Sequence, residues 1–186
     1  MTDPVTLEVV RNGLAAVCEE MNGTLVRTGY SPNIKERRDC SCALFDADGA
    51  MLAQAENMPV HLGAMPFSVA AALERFPPET LEPGDVILLN DPYHGGAHLP
   101  DLTLVTPAFV DDELVALAAN RAHHADVGGT HAGSVSAEST EIYAEGIRVP
   151  PVKLWAAGEE NEGVVETLLA NVRTPAERRG DLRAQI

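Results

Sequence analysis

Cysteine is scarce in this chain of 186 residues: Cys18, Cys40 and Cys42 are all it has. An odd number without secretory context argues against a disulfide framework. Cys40-Ser41-Cys42 also has the wrong spacing for a zinc or redox pair. Positions two apart in a strand face the same side, so the pair reads as two small apolar residues on a buried strand face. Basic residues are few as well, 13 Lys and Arg against 28 Asp and Glu, for a net charge of −15. A surface of that sign repels phosphate backbones and anionic headgroups, which argues against nucleic acid and membrane surfaces as partners. No apolar run approaches the length of a membrane span. Met1-Thr2-Asp3-Pro4 offers neither the basic start nor the following apolar core of a secretory leader, so the expected location is the cytoplasm. The sequence has no Walker loop and no G-x-G-x-x-G after a strand, and so no legible ATP site. It also lacks a G-x-S-x-G elbow and an H-E-x-x-H helix.

What is present is a soluble globular composition, 45% hydrophobic and 22% charged. A long first helix is expected over residues 4–28. Asp3 can cap it, Pro4 suits its first turn, and Leu7, Val10, Leu14, Val17, Met21 and Leu25 form one apolar stripe. Residues 40–45 and 50–54 read as a hairpin around Asp46-Ala47-Asp48-Gly49. A second helix is expected from Pro66 to Arg75, then a buried strand from Asp85 to Leu89. Leu102–Val110 and Glu113–Asn120 read as a second hairpin turning at Asp111-Asp112. A long irregular segment covers residues 124–146, a strand Ile147–Leu154, and a helix Glu162–Val172. Thr174-Pro175-Ala176-Glu177 reads as a capping box that starts a helix still running at Ile186, which implies that more protein follows. The fold class is therefore α+β: a long N-terminal helix and a mostly antiparallel sheet built from hairpins, with helices packed on it.

Five of the six histidines fall between positions 94 and 131. Two clusters stand out, His98-Leu99-Pro100-Asp101 and His123-His124-Ala125-Asp126. If Val110 pairs with Glu113, a regular ladder sets Asp101 opposite Ala122 and Pro100 opposite His123. Both clusters then meet at the open end of one hairpin. Two imidazoles and a carboxylate suit a divalent transition metal (zinc, manganese or iron) and leave coordination positions open, which is the catalytic pattern. In that regular ladder His123 shares a face with His98 while His124 shares one with Asp101, so spacing alone leaves the third ligand open. His94 and His131 read as loop residues, and His61 is ambiguous at a helix start. The polar stretch Ser31–Asp39 reads as a solvated loop, with Glu36 and Asp39 as polar groups that could lie near a site.

The chain resembles hydantoinase B/oxoprolinase proteins along essentially its whole length. The resemblance rests on Asp3-Pro4-Val5-Thr6-Leu7-Glu8-Val9, on Ser31 to Asp39 and on Pro59-Val60-His61-Leu62-Gly63. Its most telling pieces are Asn90-Asp91-Pro92-Tyr93, Gly95-Gly96, His98-Leu99-Pro100-Asp101 and the run from Asn120 to Gly129, with Ala170 to Pro175 closing it. Members are much longer, so residues 1–186 read as the N-terminal portion of such a domain, cut within a helix. The family includes ATP-dependent hydantoinases, 5-oxoprolinases, and acetone and acetophenone carboxylases.

The resemblance implies a division of labour. A hydantoinase A-like partner binds ATP with magnesium and phosphorylates the substrate's carbonyl oxygen. The B-type unit holds a metal and completes ring opening of a cyclic amide, a hydantoin or a 5-oxoproline type. Metal ligands of the carboxylase relatives match His98, Asp101 and His123, which favours His123 over His124. His124 or Asp126 is then expected to carry the proton. Gly95-Gly96 and Gly128-Gly129 are expected to let backbone approach the substrate. The assembly expected is a hetero-oligomer. The alternatives are a subunit of an acetone- or acetophenone-type carboxylase and a non-catalytic fragment that only binds its partner.

Overall fold

The computed structural model describes residues 3–55 and 58–186. Helix α1 (Pro4–Thr28) is capped by Asp3, whose carboxylate accepts from the backbone N–H groups of Val5 and Thr6. A four-residue helix α2 (Pro32–Lys35) leads to strand β1 (Cys40–Phe45), which turns back as β2 (Met51–Gln54). Helix α3 (Pro59–Arg75) follows, then β3 (Val86–Leu89), β4 (Asp101–Val110) and β5 (Glu113–His123). The chain closes with β6 (Val152–Ala156), β7 (Glu159–Glu160), α4 (Glu162–Ala170) and α5 (Pro175–Gln185). The seven strands form one antiparallel sheet in the order β2-β1-β5-β4-β3-β6-β7. The fold is α+β, with the expected long first helix and hairpin-built sheet.

Both sheet faces are covered. Helix α3 lays Met65, Val69 and Ala72 on Ala43, Phe45, Ile87, Leu89, Val105, Leu117 and Ala119. On the other face the second half of α1 packs Leu25 near Cys40, Cys42 and Ala122. There too, α4 and α5 bring Val165, Leu168 and Leu182 onto Leu88, Leu102, Leu104 and Leu154. Both cysteines of β1 are buried. The α1 stripe is buried only in part: Leu7, Val10 and Val17 are exposed, while Cys18 and Leu25 are buried.

Several boundaries moved for identifiable reasons. Helix α3 starts at Pro59 and runs through Pro66, which gives up one helical hydrogen bond; burial of Met65, Ser68 and Val69 around it holds the helix. Residues 147–151 form no strand, because Pro150 and Pro151 cannot donate to a ladder; the strand begins at Val152. The segment before it is instead fastened by Asn90 (below). The expected capping box does not form. Thr174 is left-handed (φ 52°) and its hydroxyl donates to the carbonyl of Arg173, so α5 starts without a side-chain cap.

The β4–β5 hairpin turns at Asp111 and Asp112, both at positive φ (50° and 64°), the backbone that matches strand twist in tight hairpins. Val110 pairs with Glu113 as expected. Beyond that the register slips by one residue: Phe109 opposes Leu114, but Ala108 opposes Ala116, leaving Val115 as an extra residue in β5. The slip sets Asp101 opposite His123, where a regular ladder sets it opposite Ala122.

Candidate metal centre

A one-residue slip exchanges the faces of every later side chain relative to its partner strand. Asp101 and His123, on opposite faces in a regular ladder, become a directly opposed pair on the α3 side of the sheet. His98 joins them through a tight turn: the N–H of Asp101 donates to the carbonyl of His98 at 3.0 Å, which brings the two side chains together. The His124 N–H donates to the carbonyl of Pro100 at 2.8 Å, tying the backbones of the two clusters.

Asp101 lies at the centre and is buried. Its Oδ2 is 3.0 Å from His98 Nδ1, its Oδ1 is 3.1 Å from His123 Nδ1, and a third imidazole, His61, places Nε2 3.5 Å from Oδ2. The His98 and His123 rings are 5.1 Å apart. One donor atom from each of His98, Asp101 and His123 falls within 4.8 Å of the others. Burial raises the pKa of Asp101, but the bonds to His123, His61 and His98 outweigh it and hold the carboxyl well below the usual range. The bond to Asp101 in turn pushes His98 up. The donor set fits a divalent metal: an ionised carboxylate and one imidazole on paired strands, and a second imidazole, His98, half exposed in the turn before β4.

The same sheet face carries more polar groups than the sequence reading assembled. Asp39, just before β1, places Oδ1 3.5 Å from His61 Nε2. Ser41 of β1 lies 3.4 Å from His61 Nδ1. Buried Arg121 donates to Thr103 (2.8 Å) and to Ser68 of α3 (2.6 Å). Burial lowers the pKa of Arg121, opposed by the charge of Asp101. His61 does sit at a helix start, three residues into α3, and its place beside Asp101 follows from the packing of α3 on the sheet, which has no local signal. Asp39, one of two polar groups expected near a site, is there while Glu36 is not; the signal that separates them is face parity, since Asp39, Ser41, Arg121 and His123 alternate toward one side once β1 is paired with β5.

His124 and Asp126 are not brought to this cluster. His124 is buried on the opposite face, with Nε2 2.8 Å from Gln185 Oε1. The Gln185 amide nitrogen donates to the Leu102 carbonyl at 3.0 Å, so its oxygen faces the imidazole and His124 is the donor. Burial pushes His124 down to about 4. Asp126 accepts from the backbone of Gly128, Gly133 and Arg173 and from the Arg173 guanidinium at 2.9–3.0 Å. His94 pairs with Asp91 at 2.8 Å and His131 contacts Thr130, both outside the cluster, and Glu36 is exposed.

The glycines serve packing within the chain. A Cβ on Gly96 would stand 2.1 Å from the Asn90 carbonyl oxygen, and one on Gly128 2.3 Å from that of Asn171. Asn90 is the buried clasp of the region. Its amide donates to the carbonyls of Leu99 (2.7 Å) and Ile147 (3.0 Å), and its Oδ1 accepts from Val149 N (2.7 Å).

Comparison with known proteins places these features in context. The hydantoinase B/oxoprolinase family model matches residues 3–186. The chain is 41% identical over 198 residues to 5-oxoprolinase 1 of Arabidopsis thaliana, covering 100% of the chain and 16% of that protein. It is 41% identical over 183 residues to the caprolactamase beta subunit of Pseudomonas jessenii, covering 98% of the chain and 31% of the subunit. The crystal structure of the ATP-dependent caprolactamase from Pseudomonas jessenii superposes with a TM-score of 0.92 at 39% identity, over 100% of the chain and 32% of that one. A nucleotide-free acetone carboxylase structure shares the fold, with a TM-score of 0.89 at 20% identity over 98% of the chain and 24% of that one. The chain thus spans a third or less of the length of these relatives.

Proposed function

Since the chain belongs to the hydantoinase B/oxoprolinase family, we propose that it supplies the metal-binding part of an ATP-dependent hydrolase that opens cyclic amides. The observation that carries this reading is the convergence of His98, Asp101 and His123 on one sheet face through the β4–β5 register slip. Caprolactam and 5-oxoproline, the compounds in the names of relatives at 41% identity, are both lactams. That supports a lactam or a similar cyclic amide over a carboxylase substrate, for which the support is a shared fold.

A lactam C–N bond resists water because resonance stabilises it. Phosphorylation of the carbonyl oxygen, carried out with magnesium and ATP on a hydantoinase A-like partner, makes the carbonyl carbon electrophilic. The ATP-dependent relative has a beta subunit, which supports such a partner. Water then adds to that carbon and the ring C–N bond breaks, the nitrogen leaving with a proton; a second water releases inorganic phosphate from the resulting acyl phosphate and gives the free carboxylate. A divalent metal held by His98, Asp101 and His123 would supply Lewis acidity beside that carbon.

The chain's own residues supply the frame. Asp101 is fixed by burial and by imidazoles on several sides. His98 presents the open edge of the site to substrate, and Asn90 anchors the Leu99 carbonyl between His98 and Asp101. His124 and Asp126, the proton carriers expected from sequence, serve this frame from the other side: one is spent on Gln185, the other on Arg173 and the glycine loop.

The test is metal content by mass spectrometry on the purified 186-residue chain and on its His98→Ala/His123→Ala variant. Near-stoichiometric zinc, manganese or iron in the first and none in the second is the expected result. Equal metal in both would overturn the ligand assignment.

A further inference from the structure

His61 is almost completely buried, and three polar neighbours among the described residues define what it does. Its Nδ1 lies 3.4 Å from the Ser41 hydroxyl oxygen, and that oxygen accepts the backbone N–H of Met58 at 3.2 Å. With one lone pair engaged by Met58, the Ser41 hydroxyl hydrogen is free to point at the imidazole. Nδ1 is then the acceptor, and the ring proton resides on Nε2. Nε2 faces two carboxylates at 3.5 Å each, Asp101 Oδ2 and Asp39 Oδ1. The ring is thus held from behind by β1 and the α3 start, and its N–H is presented to the central carboxylate from the side away from the open edge.

We propose that His61 is a positioning residue for the metal centre: its Nε2–H, set by Ser41 and shared with Asp39, fixes the Asp101 carboxylate in its ligating orientation. The inference rests on the metal reading above. His98 and His123 meet Asp101 through ring nitrogens that a metal would claim as ligands. His61 then remains as the imidazole whose N–H still faces the carboxylate. Partners of this kind typically change metal affinity by about 10- to 100-fold when removed. Asp39 also reaches the ligand residues without His61, since its carbonyl accepts from the His123 N–H at 2.9 Å and its charge helps push His98 up; Ser41 is the neighbour that acts on the site through the His61 ring.

The test uses the full chain and measures the cobalt(II) and zinc dissociation constants by competition with a chromophoric chelator, together with the cobalt(II) visible spectrum. The variants are His61→Leu, His61→Gln, Ser41→Ala and His123→Ala, each checked for folding by far-UV circular dichroism. His61→Leu is expected to weaken binding by about 10- to 100-fold and to alter the cobalt spectrum. His61→Gln, whose amide N–H takes the place of Nε2–H, is expected to recover most of the loss. Ser41→Ala, which removes the hydroxyl that sets the ring proton on Nε2, is expected to weaken binding a few-fold and keeps the proposal testable if His61→Leu does not fold. Wild-type affinity in both His61→Leu and Ser41→Ala, with His123→Ala unable to bind, overturns the role of His61 while leaving the metal site standing. Equal affinity in the wild type and His123→Ala overturns both. A loss in His61→Gln as deep as in His61→Leu also overturns the proposal, because the donor would then be irrelevant.

Discussion

Replacing Asn90 tests how the metal loop is held. Asn90→Ala removes three hydrogen bonds from a site with no solvent exposure. The Val149 N–H and the carbonyls of Leu99 and Ile147 lose their bonds to it. A net hydrogen bond contributes about 1 kcal/mol, and a buried group left without a partner costs about 1–3 kcal/mol. Allowing for some relaxation, the expected loss is about 3–5 kcal/mol. For a chain of this size each kcal/mol moves Tm by about 2–4 °C, so a fall of about 6–20 °C is expected by calorimetry.

Asn90→Asp sharpens the test. Its carboxylate still accepts from Val149 N–H, but turns a charge toward two carbonyl oxygens. Burial and those carbonyls raise its folded pKa above the unfolded value. Stability of that variant is therefore highest below the unfolded value of about 3.9 and is lost as pH rises through the folded one. A Tm within about 2 °C of wild type for Asn90→Ala, or no improvement of Asn90→Asp on mild acidification, would refute the reasoning.

Two further predictions concern Asp85 and the three cysteines. Burial raises the pKa of Asp85, but Lys153 at 2.7 Å and the N–H groups of Ala157 and Glu82 outweigh it, so the carboxyl lies below its ordinary value. A depressed folded pKa contributes stability that is complete above about pH 4 and lost as pH falls through the folded value. In urea melts, Asp85→Ala should cost about 3 kcal/mol at neutral pH and progressively less in acid; an equal cost at both pH values would contradict this. Burial also pushes the Cys40 thiol up to about 12 and raises Cys18 and Cys42. At pH 8 a thiol-specific disulfide reagent should leave the folded chain untouched and titrate all three cysteines in denaturant; rapid reaction of the folded chain would contradict their burial.

Local signals located most elements, because they lie in local chemistry: the Asp3-Pro4 start of α1, the tight turn at Asp111-Asp112, the apolar run of β3. Strand continuations and helix starts depended on what packs against them. Pro66 looks like a helix start in isolation and is helix interior once Met65 and Val69 meet the sheet. The meeting of His98 and Asp101 with His123 was legible because a single hairpin joins the two clusters, although His124 and Asp126 of the second cluster go elsewhere. Which face each side chain takes was not legible from spacing, because it turns on Val115, a residue with no local mark of a bulge. Resemblance pointed to His123, and the slipped register supplies the geometry for it. His61 could be read only as ambiguous and Asp39 only as one of two polar groups near a site, because they come from segments distant in sequence, and His124 drew attention only because it adjoins His123 in the chain.

The register slip makes the β4–β5 arm a measuring rod. Between the slip and the site, Asp101–Ala108 and Ala116–His123 run side by side, and their equal lengths set which side of the sheet each end residue reaches. Exchanging residues along this arm leaves the count intact. Gaining or losing one residue in either strand does not: Asp101 or His123 would then swing to the side where His124 meets Gln185. Length here should therefore tolerate far less change than composition. A library of single-residue insertions along the arm would read out that constraint as an abrupt loss of metal binding, with side-chain substitutions at the same positions giving graded effects.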